Sequence, residues 1–557
     1  MALEGISAGW LSLIPALLAI SLAWYSRDAI IGLFVGVASA GVVYGALKPA
    51  SAGVPKDMMG GISGYVLGAI FGLKHVPTLI ATSPLFSDSW YVENVLLAIF
   101  AIGGMIGLMI RSGAIRGVLE ALAARADSPA DAEKAAFLAG IAIHIDDYFN
   151  CLVVGSMMRP LTDRFDVSRA KLAYYVDSAG SPAARLAFYS TWGVALIGFI
   201  GGGLEQAAKQ NTLPADMANY VNTGGKGVTA ATDQIWPLFF NSLAFGFYSW
   251  TALIIAALVA WQVFPNIFGM EREETRARNG GGVVGDDHDP MISREMDEYE
   301  MADAANPDWR NFAIPIATMI IVGLGAMFWR GSPVVSAPQM NTLFSLGGYQ
   351  LVLPAGGKWS FNIGGIKLGL ASFAALGVAF VLYRAKGDIP SNKDATDAMV
   401  RGFKGILLAA VILMFASSIQ NAVTVLGISN FVTNWFDGIP PSLIPVLLFL
   451  VTSGVSFSDG SSWATYGIMF PIAIPVAFST GANLPLVLGA VFSGGIFGDH
   501  SSPISDTTVL ASSTSGSDHL VHVRTQIPYA LICATVAGTL FLLLGFVLPQ
   551  GFRIFPY

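Results

Sequence analysis

Two carboxylates and several hydroxyl groups lie within eleven residues near the carboxyl-terminal end of the chain. The run reads Gly498-Asp499-His500-Ser501-Ser502-Pro503-Ile504-Ser505-Asp506-Thr507-Thr508. Its side chains supply hard oxygen atoms that suit an alkali cation, and its proline and serines predict a helix break that frees backbone carbonyls. Burial favours the protonated form of a carboxylate, so a proton and a cation would compete for one site. Such competition is the simplest mechanism of ion exchange.

The first half of the chain contains a related pattern. Each half has an aspartate in a polar tip (Asp147 or Asp459) and later an aspartate near a Ser-Pro pair, which predicts a second helix break at Ser181-Pro182. An acid in hydrocarbon is costly unless it binds something or becomes protonated. Six acids stand in hydrophobic regions: Asp146, Asp147, Asp177, Asp459, Asp499 and Asp506. Each of them could instead cap a helix or form a structural ion pair.

These patterns predict one ion- or substrate-binding site made of carboxylates, hydroxyls and an amide. The candidate residues are Asp147, Asn150, Asp177, Ser181, Arg185, Asp459, Ser461, Ser462, Thr465, Asp499, Ser501, Ser502, Ser505, Asp506 and Thr507. Sodium is expected at Asp177, Asp499 and Asp506. Proton-linked candidates are Asp146, His144 and His500, although Asp146 could serve only as a cap and His500 only as a structural histidine.

Arg185 is a permanent cation in an otherwise apolar segment, three residues after Pro182. Burying it without a partner would be expensive. One interpretation is a structural ion pair with one of the six acids. The other is a clamp for a substrate carboxylate, because a guanidinium matches a carboxylate with two parallel hydrogen bonds.

The composition shows which elements must position these groups. Of 557 residues, 54% are hydrophobic and 12% are charged, which excludes a disordered chain and argues against a soluble globular protein. The chain has no basic tract of the kind that would indicate nucleic-acid binding. A bilayer-crossing helix needs about 20 mostly apolar residues. Ten such spans are predicted near 10–24, 29–47, 92–110, 171–203, 235–264, 311–329, 363–383, 402–422, 484–515 and 526–549.

Two further apolar regions carry polar residues at their centres and are predicted to be re-entrant hairpins. Five spans on each side of a linker, an odd number, predict two inverted repeats, which indicate a secondary transporter with a site near the midplane. The fold prediction is therefore an all-α polytopic membrane protein with the following divisions: a first repeat at 1–264 with hairpin 135–160 and broken helix 171–203, a linker at 265–310, and a second repeat at 311–557 with hairpin 441–479 and broken helix 484–515.

The linker accounts for the net charge of −7, because residues 271–310 hold 12 acids and 5 bases. Its glycines and alternating acids predict a flexible, solvated tether. Twenty lysines and arginines fall in the loops on the linker side and eight in the loops on the other side. This asymmetry predicts a cytoplasmic linker and outward-facing termini in the inner membrane.

The Gly498–Thr508 run resembles the signature of the NhaC-type sodium/proton antiporter family, within the ion transporter superfamily. Similar runs are His144 to Asn150, Met158 to Asp163, Ser168 to Tyr174, Ser462 to Pro471 and Asp518 to Gln526. The resemblance covers most of the chain. It implies an inverted-repeat fold and a homodimer, and it is compatible with elevator-type motion. It does not fix the substrate.

The predicted function is secondary transport by alternating access, with sodium/proton exchange as the first hypothesis and a sodium ion, a proton or both as the coupling ions. The alternative is coupled symport or exchange of a small organic carboxylate or amino acid held by Arg185. A channel also fits the composition but does not readily explain two inverted copies. An enzyme is not expected, because the nucleophile-elbow pattern at Gly5 to Gly9 has no strand before it and is a chance match. The chain has no Walker A sequence, so ATP-driven pumping is not expected either. No cofactor is predicted, and the partners are membrane lipid and the transported ion or solute.

Overall fold

The computed structural model is built from helices, and it describes residues 3–554 with gaps. The gaps are 27–28, 55–57, 60, 88–91, 125, 210–231, 291–300, 326–339, 347–348, 355–367, 406, 428–430, 432–435, 437 and 504. The strands found in the described part are Met340–Leu346 (β1) and Tyr349–Pro354 (β2), which pair antiparallel. No sequence pattern predicted this small hairpin, but the predicted all-helical class is confirmed.

The first half supplies the helices that carry Asp147, Asp177 and Arg185. Its described α-helices are α1 (Ile14–Ser26), α2 (Ala29–Leu47), α3 (Pro49–Ala52), α4 (Gly61–Gly72), α5 (Val76–Ala81), α6 (Pro84–Ser87), α7 (Leu97–Arg111), α8 (Ala114–Ala123), α9 (Pro129–Ala142), α10 (Asp147–Arg164), α11 (Arg169–Leu186), α12 (Thr191–Lys209), α13 (Thr232–Ala244) and α14 (Phe247–Ala260). The two helices α9 and α10 meet at residues 143–146, where the sequence predicts a polar tip.

The linker and the second half follow with further helices. They are α15 (Gly269–Arg278), α16 (Trp309–Gly325), α17 (Leu368–Lys386), α18 (Asn392–Gly405), α19 (Leu407–Val425), α20 (Ile444–Asp459), α21 (Ser462–Thr480), α22 (Leu484–Ser501), α23 (Asp506–Ser515) and α24 (His519–Val547). The second polar tip, Gly460-Ser461, separates α20 from α21.

The helices around the polar tips begin at side chains that satisfy the free backbone N–H groups of a first turn. A serine, aspartate or asparagine at this position accepts a hydrogen bond from an amide two or three residues on and stabilises a helix by about 1 kcal/mol. These caps are Ser128, Asp146, Ser168, Ser461, Asn483, Ser505 and Asp518. Local sequence therefore sets where the helices of the site start.

Five helices among the described residues are long and apolar enough to cross a membrane: Ile30–Leu47, Gly369–Lys386, Pro441–Ser458, Ser462–Thr480 and His519–Val547. Three helix pairs, bent by 65°, 51° and 44°, raise the number to eight if each pair is one span. Several predicted spans contain shorter apolar helices instead, such as Trp309–Gly323. By length and composition, each arm of the predicted second hairpin is long enough to cross by itself.

The predicted helix break at Ser181-Pro182 is wrong. Helix α11 continues through both residues to Leu186, and the chain bends by 51° before α12 starts at Thr191. A proline removes one backbone donor, but packed neighbours and hydroxyl groups can satisfy the freed backbone groups, so a membrane helix can continue through it. In the second half the helix does end at Ser502-Pro503, as the sequence predicts.

The described part of the linker is docked, so the prediction of a flexible tether is wrong there. Helix α15 buries Met270 and Ala277. Its Arg278 Nη2 lies 2.6 Å from Glu133 Oε1, and Glu133 Oε2 lies 2.8 Å from Lys171 Nζ. Glu274 also approaches Lys171, at 3.5 Å. Buried charges are stable when they are paired, so this cluster fixes the linker helix to α9 and α11.

Candidate functional site

The candidate site lies where helices of both halves meet. Helices α10 and α11 of the first half pack against α23 of the second half, and α11 also packs against α22 and α24. The carboxylates of Asp147, Asp177 and Asp499 are buried among these helices. The structure therefore brings together predicted site residues that are more than 300 positions apart in the chain.

Asp177 receives hydrogen bonds from the second half of the chain. Its Oδ2 accepts from Thr508 Oγ1 at 2.9 Å and from Gln526 Nε2 at 2.6 Å. Thr508 belongs to α23 and Gln526 to α24, so two separate helices hold one carboxylate of α11. A charged acceptor strengthens such bonds to about 1.5–3 kcal/mol each.

Asp499 lies in the last turn of α22, directly before the break. Its Oδ1 accepts from Ser505 Oγ at 3.1 Å and its Oδ2 accepts from Ser462 Oγ at 3.3 Å. The Thr508 hydroxyl lies 3.1 Å from the Asp499 carbonyl oxygen as well as within reach of Asp177. Because a hydroxyl carries a single proton, Thr508 donates to one of these oxygens at a time.

Asp147 and Asn150 form the first-half part of the site, in the first turn of α10. Ser181 Oγ donates to Asp147 Oδ2 at 3.1 Å, which ties α11 to α10. Asn150 Nδ2 donates to the Gly140 carbonyl at 2.6 Å, and its buried Oδ1 has no hydrogen-bond partner among the described residues. A buried amide oxygen of this kind is an available ligand for a cation.

The structure places Asp146 and His144 in structural contacts beside this tip. Asp146 is the N-cap of α10: its Oδ1 accepts from Phe149 N at 2.9 Å and its Oδ2 from Thr191 Oγ1 at 2.7 Å. His144 lies between the Ile141 carbonyl and the Tyr189 hydroxyl. Asp146 thus joins the hairpin tip to the start of α12, in line with the capping interpretation.

His500 connects the two halves through both ring nitrogens. Its Nε2 lies 2.9 Å from Ser178 Oγ and its Nδ1 lies 2.8 Å from Tyr248 Oη. The ring is buried between α11, α14 and α22. With a hydroxyl on each nitrogen, His500 fits the interpretation of a hydrogen-bonded structural histidine.

The remaining candidates lie at the second polar tip and at the second break. Ser461 caps α21, Thr465 is buried one turn on, and Thr507 Oγ1 lies 3.1 Å from Ser505 Oγ. Ser501 and Ser502 donate to the backbone carbonyls of Phe497 and Phe457. Asp459 ends α20 and Asp506 begins α23, but the side chains of both lie outside the described residues.

Arg185 is fully buried at the end of α11, and no carboxylate lies within salt-bridge distance of it in the described part of the chain. Its Nη2 donates to the Ser242 carbonyl at 3.3 Å, and its guanidinium carbon lies 4.8 Å from the centre of the Phe492 ring. The Nε and Nη1 atoms have no hydrogen-bond partner there. None of the four acids whose side chains the structure describes, Asp146, Asp147, Asp177 and Asp499, forms the ion pair that one interpretation of Arg185 requires.

Gly246 makes room for this guanidinium. A methyl group at Gly246 would overlap Arg185 Nη1, so any side chain at this position would displace the arginine. The other interpretation, a clamp for a substrate carboxylate, requires guanidinium nitrogens without protein acceptors. Nε and Nη1 of Arg185 meet this requirement, although the guanidinium is tightly packed.

Several residues that contact the predicted carboxylates or their neighbours were not among the predicted site residues, and Thr508, Gln526 and Tyr248 are examples. Thr508 lies within the polar run, Gln526 ends the last of the similar runs, and Tyr248 lies in an apolar span. A polar side chain inside a hydrophobic segment is itself a signal, because it must find a partner in the protein interior. Applied to neutral residues as well as to acids, this criterion would have selected Gln526.

Comparison with known proteins supports the assignment that the motifs suggest. The sequence profile of the Na+/H+ antiporter family matches residues 217–546, more than half of the chain. An uncharacterized protein of Haemophilus influenzae is 30% identical over 550 residues, covering 98% of this chain and 93% of that protein. The malate-2H(+)/Na(+)-lactate antiporter of Bacillus subtilis is 34% identical over 158 residues, which cover 28% of this chain and 34% of that protein.

The fold agrees with a solved membrane transporter. The YdaH transporter of Alcanivorax borkumensis aligns with a TM-score of 0.54 and 16% identity, over 86% of this chain and 90% of that one. At this identity the likeness concerns the fold alone. The apolar helices and the family match together establish a multi-pass membrane protein that is a secondary transporter. The chain belongs to the Na+/H+ antiporter family, whose members are transporters and not enzymes, as its motif predicts.

Proposed function

We propose that the protein exchanges sodium for protons and that Asp177 and Asp499 form the site of exchange. The observation that carries this proposal is the position of the Thr508 hydroxyl, within hydrogen-bond distance of Asp177 Oδ2 and of the Asp499 carbonyl. Because these two oxygens, one from each half, share a single donor, they keep lone pairs that can bind a hard cation. A cation bound between the halves would compete with protonation of the same carboxylates.

The neighbouring groups complete an oxygen-rich environment for this competition. Ser462 and Ser505 donate to Asp499, and Asp147 with Asn150 Oδ1 extends the oxygen set along α10. Asp506 is included as a candidate ligand because it starts α23 beside Ser505. For alternating access we assign the moving joint to the helix break between α22, which ends at Ser501, and α23, which begins at Asp506.

The direct test measures the pH change that sodium induces in proteoliposomes. Asp177→Asn and Asp499→Asn should each lower the sodium-dependent proton flux at least about 10-fold, because one lost charged ligand costs about 1.5–3 kcal/mol. Asp388→Asn is the matched control, since Asp388 is also buried but binds Asn311 far from the site. Wild-type flux in both site variants would reject these carboxylates.

The proposal also includes the arrangement in the membrane: two inverted repeats at 1–264 and 311–557, a cytoplasmic linker at 265–310, outward-facing termini and a homodimer. Both native cysteines, Cys151 and Cys533, are buried. An Asp287→Cys variant should therefore react with an impermeant thiol reagent only from the cytoplasmic side of the inner membrane. Labelling from the outside would reverse the orientation.

A second candidate function is coupled transport of a small organic carboxylate or amino acid. It is favoured by Arg185, whose Nε and Nη1 lack acceptors, and by the buried indole N–H groups of Trp192 and Trp463, which lack acceptors in the described part. An excess of donors suits an anionic group. The name of the Bacillus subtilis relative supports the same substrate class.

This candidate has its own test. A thermal-shift screen of organic acids and amino acids, with and without sodium, should find a compound that stabilises the wild-type protein and not Arg185→Gln. Arg116→Gln is the control, because Arg116 forms an exposed pair with Glu120. If no compound stabilises the wild-type protein in an Arg185-dependent way, carboxylate transport is rejected and the sodium/proton proposal is unaffected.

A further inference from the structure

Behind Asp177, a chain of hydrogen bonds leads from the site to the end of the molecule where the linker docks. Gln526 Nε2 donates to Asp177 Oδ2, and Gln526 Oε1 lies 2.8 Å from His522 Nε2. His522 Nδ1 lies 2.8 Å from Ser512 Oγ, which lies 3.0 Å from His519 Nδ1. His522 is fully buried. The hydrogen bonds made directly to Asp177 do not account for a histidine at this position.

The partners of Gln526 determine which way its amide group faces. Its nitrogen donates both to Asp177 Oδ2 and to the carbonyl of His500; the carbonyl can only accept, and so can the carboxylate in its ionised form. The amide oxygen must therefore face His522. An amide oxygen accepts only, so His522 Nε2 must carry a hydrogen.

The other side of His522 is compatible with this tautomer. With Nε2 protonated, the neutral ring has an acceptor at Nδ1, and the Ser512 hydroxyl can donate to it. The Ser512 hydroxyl also lies within reach of the Thr508 carbonyl and of His519 Nδ1, and its single hydrogen serves one of these acceptors at a time. A neutral imidazole that donates from Nε2 therefore satisfies Gln526, and its Nδ1 shares the Ser512 hydrogen with these two neighbours.

We propose that His522 is a positioning residue for sodium/proton exchange: through its Nε2–H it holds the Gln526 amide with the NH2 group toward Asp177. This inference rests on the proposed function and assigns to it a residue that does not touch the ion. Without the imidazole donor, the Gln526 amide is free to turn its oxygen toward Asp177. Two acceptors would then face each other, which favours protonation of the carboxylate over sodium binding.

The groups that surround His522 indicate that it positions Gln526 by hydrogen bonding and not by its charge. From its own helix α24, His519 and the capping Asp518 lie on the linker side, and His500 lies on α22. From α23 the described partners are neutral, namely Ser512 and Thr508. Asp177 of α11 is reached through the Gln526 amide, and also through Thr508, whose hydroxyl donates to Asp177. The route through Gln526 consists of a single amide group that contacts both His522 and Asp177.

The test compares pH profiles of sodium-dependent proton flux in proteoliposomes. His522→Phe removes the donor at similar size, and we expect the pH of half-maximal flux to rise by about 0.5–1 unit because protons compete more strongly with sodium. His522→Gln keeps an N–H donor and should restore most of the wild-type profile. His75→Phe is the control, since His75 is buried against Tyr44 and Ser51 outside the site.

A double-mutant cycle separates positioning from general damage. Gln526→Leu should shift the profile at least as much as His522→Phe, and the double variant should shift it no further than Gln526→Leu alone. Additive shifts, or a lower rate with an unchanged profile in His522→Phe, would overturn the proposal. If His522→Phe does not fold, an unchanged profile in His522→Ala beside a shifted profile in Gln526→Leu overturns it equally.

A separate measurement distinguishes failure of the positioning role from failure of the proposed sodium/proton exchange. Sodium should raise the unfolding temperature of the wild-type protein, and His522→Phe should need several times more sodium for the same rise at one pH. A wild-type protein with neither sodium-dependent flux nor sodium-dependent stabilisation contradicts sodium/proton exchange itself. Wild-type behaviour in both assays with an unaltered His522→Phe contradicts only the positioning role.

Discussion

The two helix breaks in the molecule show how similar local sequences can place a carboxylate differently. In the second half, Asp499 stands in the last turn before the break at Ser502-Pro503. In the first half, Asp177 stands in the middle of α11, and the chain bends only after Leu186. Each break nevertheless contacts the polar tip of its own half: Thr191 binds Asp146, and Ser462 binds Asp499.

A Ser-Pro pair does not by itself end a membrane helix. At the first break, Ser190 Oγ lies close to the carbonyls of Ala184 and Ala187 and accepts from Gly193 N. The freed backbone groups of both flanking turns thus find partners there. At Pro182 the helix stays intact within a crowded, buried environment. Helix breaks occur where the exposed backbone groups can be satisfied.

The largest effect is expected when the hydroxyl that connects the two carboxylate sites is removed. Thr508→Val keeps the shape of the side chain but removes the donor near Asp177 and Asp499, so the sodium concentration for half-maximal flux should rise about 10- to 100-fold. Ser181→Ala, which affects Asp147 alone, should raise it less. Proteoliposome flux measures both, and an equal effect would mean that the two carboxylate sites contribute alike.

A large loss of stability is expected at the end of α11. Gly246→Ala would put a methyl group against Arg185 and should cost about 1–3 kcal/mol of stability through overpacking. Gly377→Ala is the control, because nothing lies within 4 Å of its added methyl group. Thermal unfolding in detergent distinguishes them. If both variants unfold alike, Arg185 has room to move away from Gly246 without loss.

The two prolines give a direct comparison of the breaks. Pro503→Ala gives the residue after Ser502 a backbone donor and allows α22 to extend, which should shift Asp499 and lower the sodium-dependent flux about fivefold. Pro182→Ala restores a donor inside a continuous helix and should leave the flux within about twofold. The reverse order of effects would show that α11 breaks at Pro182 during transport.

The smallest effect is expected at the cap of α10. Asp146→Ala removes the acceptor for Phe149 N and should lower stability by about 1 kcal/mol, whereas Asp146→Asn retains a capping oxygen and should lower it by a few tenths. Thermal unfolding at neutral pH provides the comparison. Equal losses would indicate that the charge of Asp146, and not its capping oxygen, stabilises the tip.

Much of the fold could be predicted because it depends on local properties of the chain. Apolar length placed the helices, and capping residues such as Ser168 and Ser505 start them where the polar runs suggested. The location of the first break could not be predicted. It depends on where the free backbone groups find partners. At the observed break some of these partners are local to Ser190, whereas Thr191 N donates to the carbonyl of Ile145 in a distant segment.

The candidate site was predictable in its acids but not in their partners. A carboxylate in an apolar segment is conspicuous, so Asp177 and Asp499 stood out. Neutral residues that bind them, Thr508 and Gln526, are recognised only once α11 and α24 are known to be neighbours. The docked linker was not predicted for a similar reason: its Glu274 looks solvated in the sequence, but in the structure it lies beside Lys171 and Arg278.

The ionic cluster of the linker has a consequence for the order in which the protein is assembled. Its charged members, Glu133, Lys171, Glu274 and Arg278, all lie before residue 279, so they can meet while the ribosome is still synthesising the second half. The linker contacts with α24, such as that between Asp289 N and Asp518, form only after most of the chain has emerged. The linker therefore first stabilises the first half of the chain and later contacts the last helix, α24.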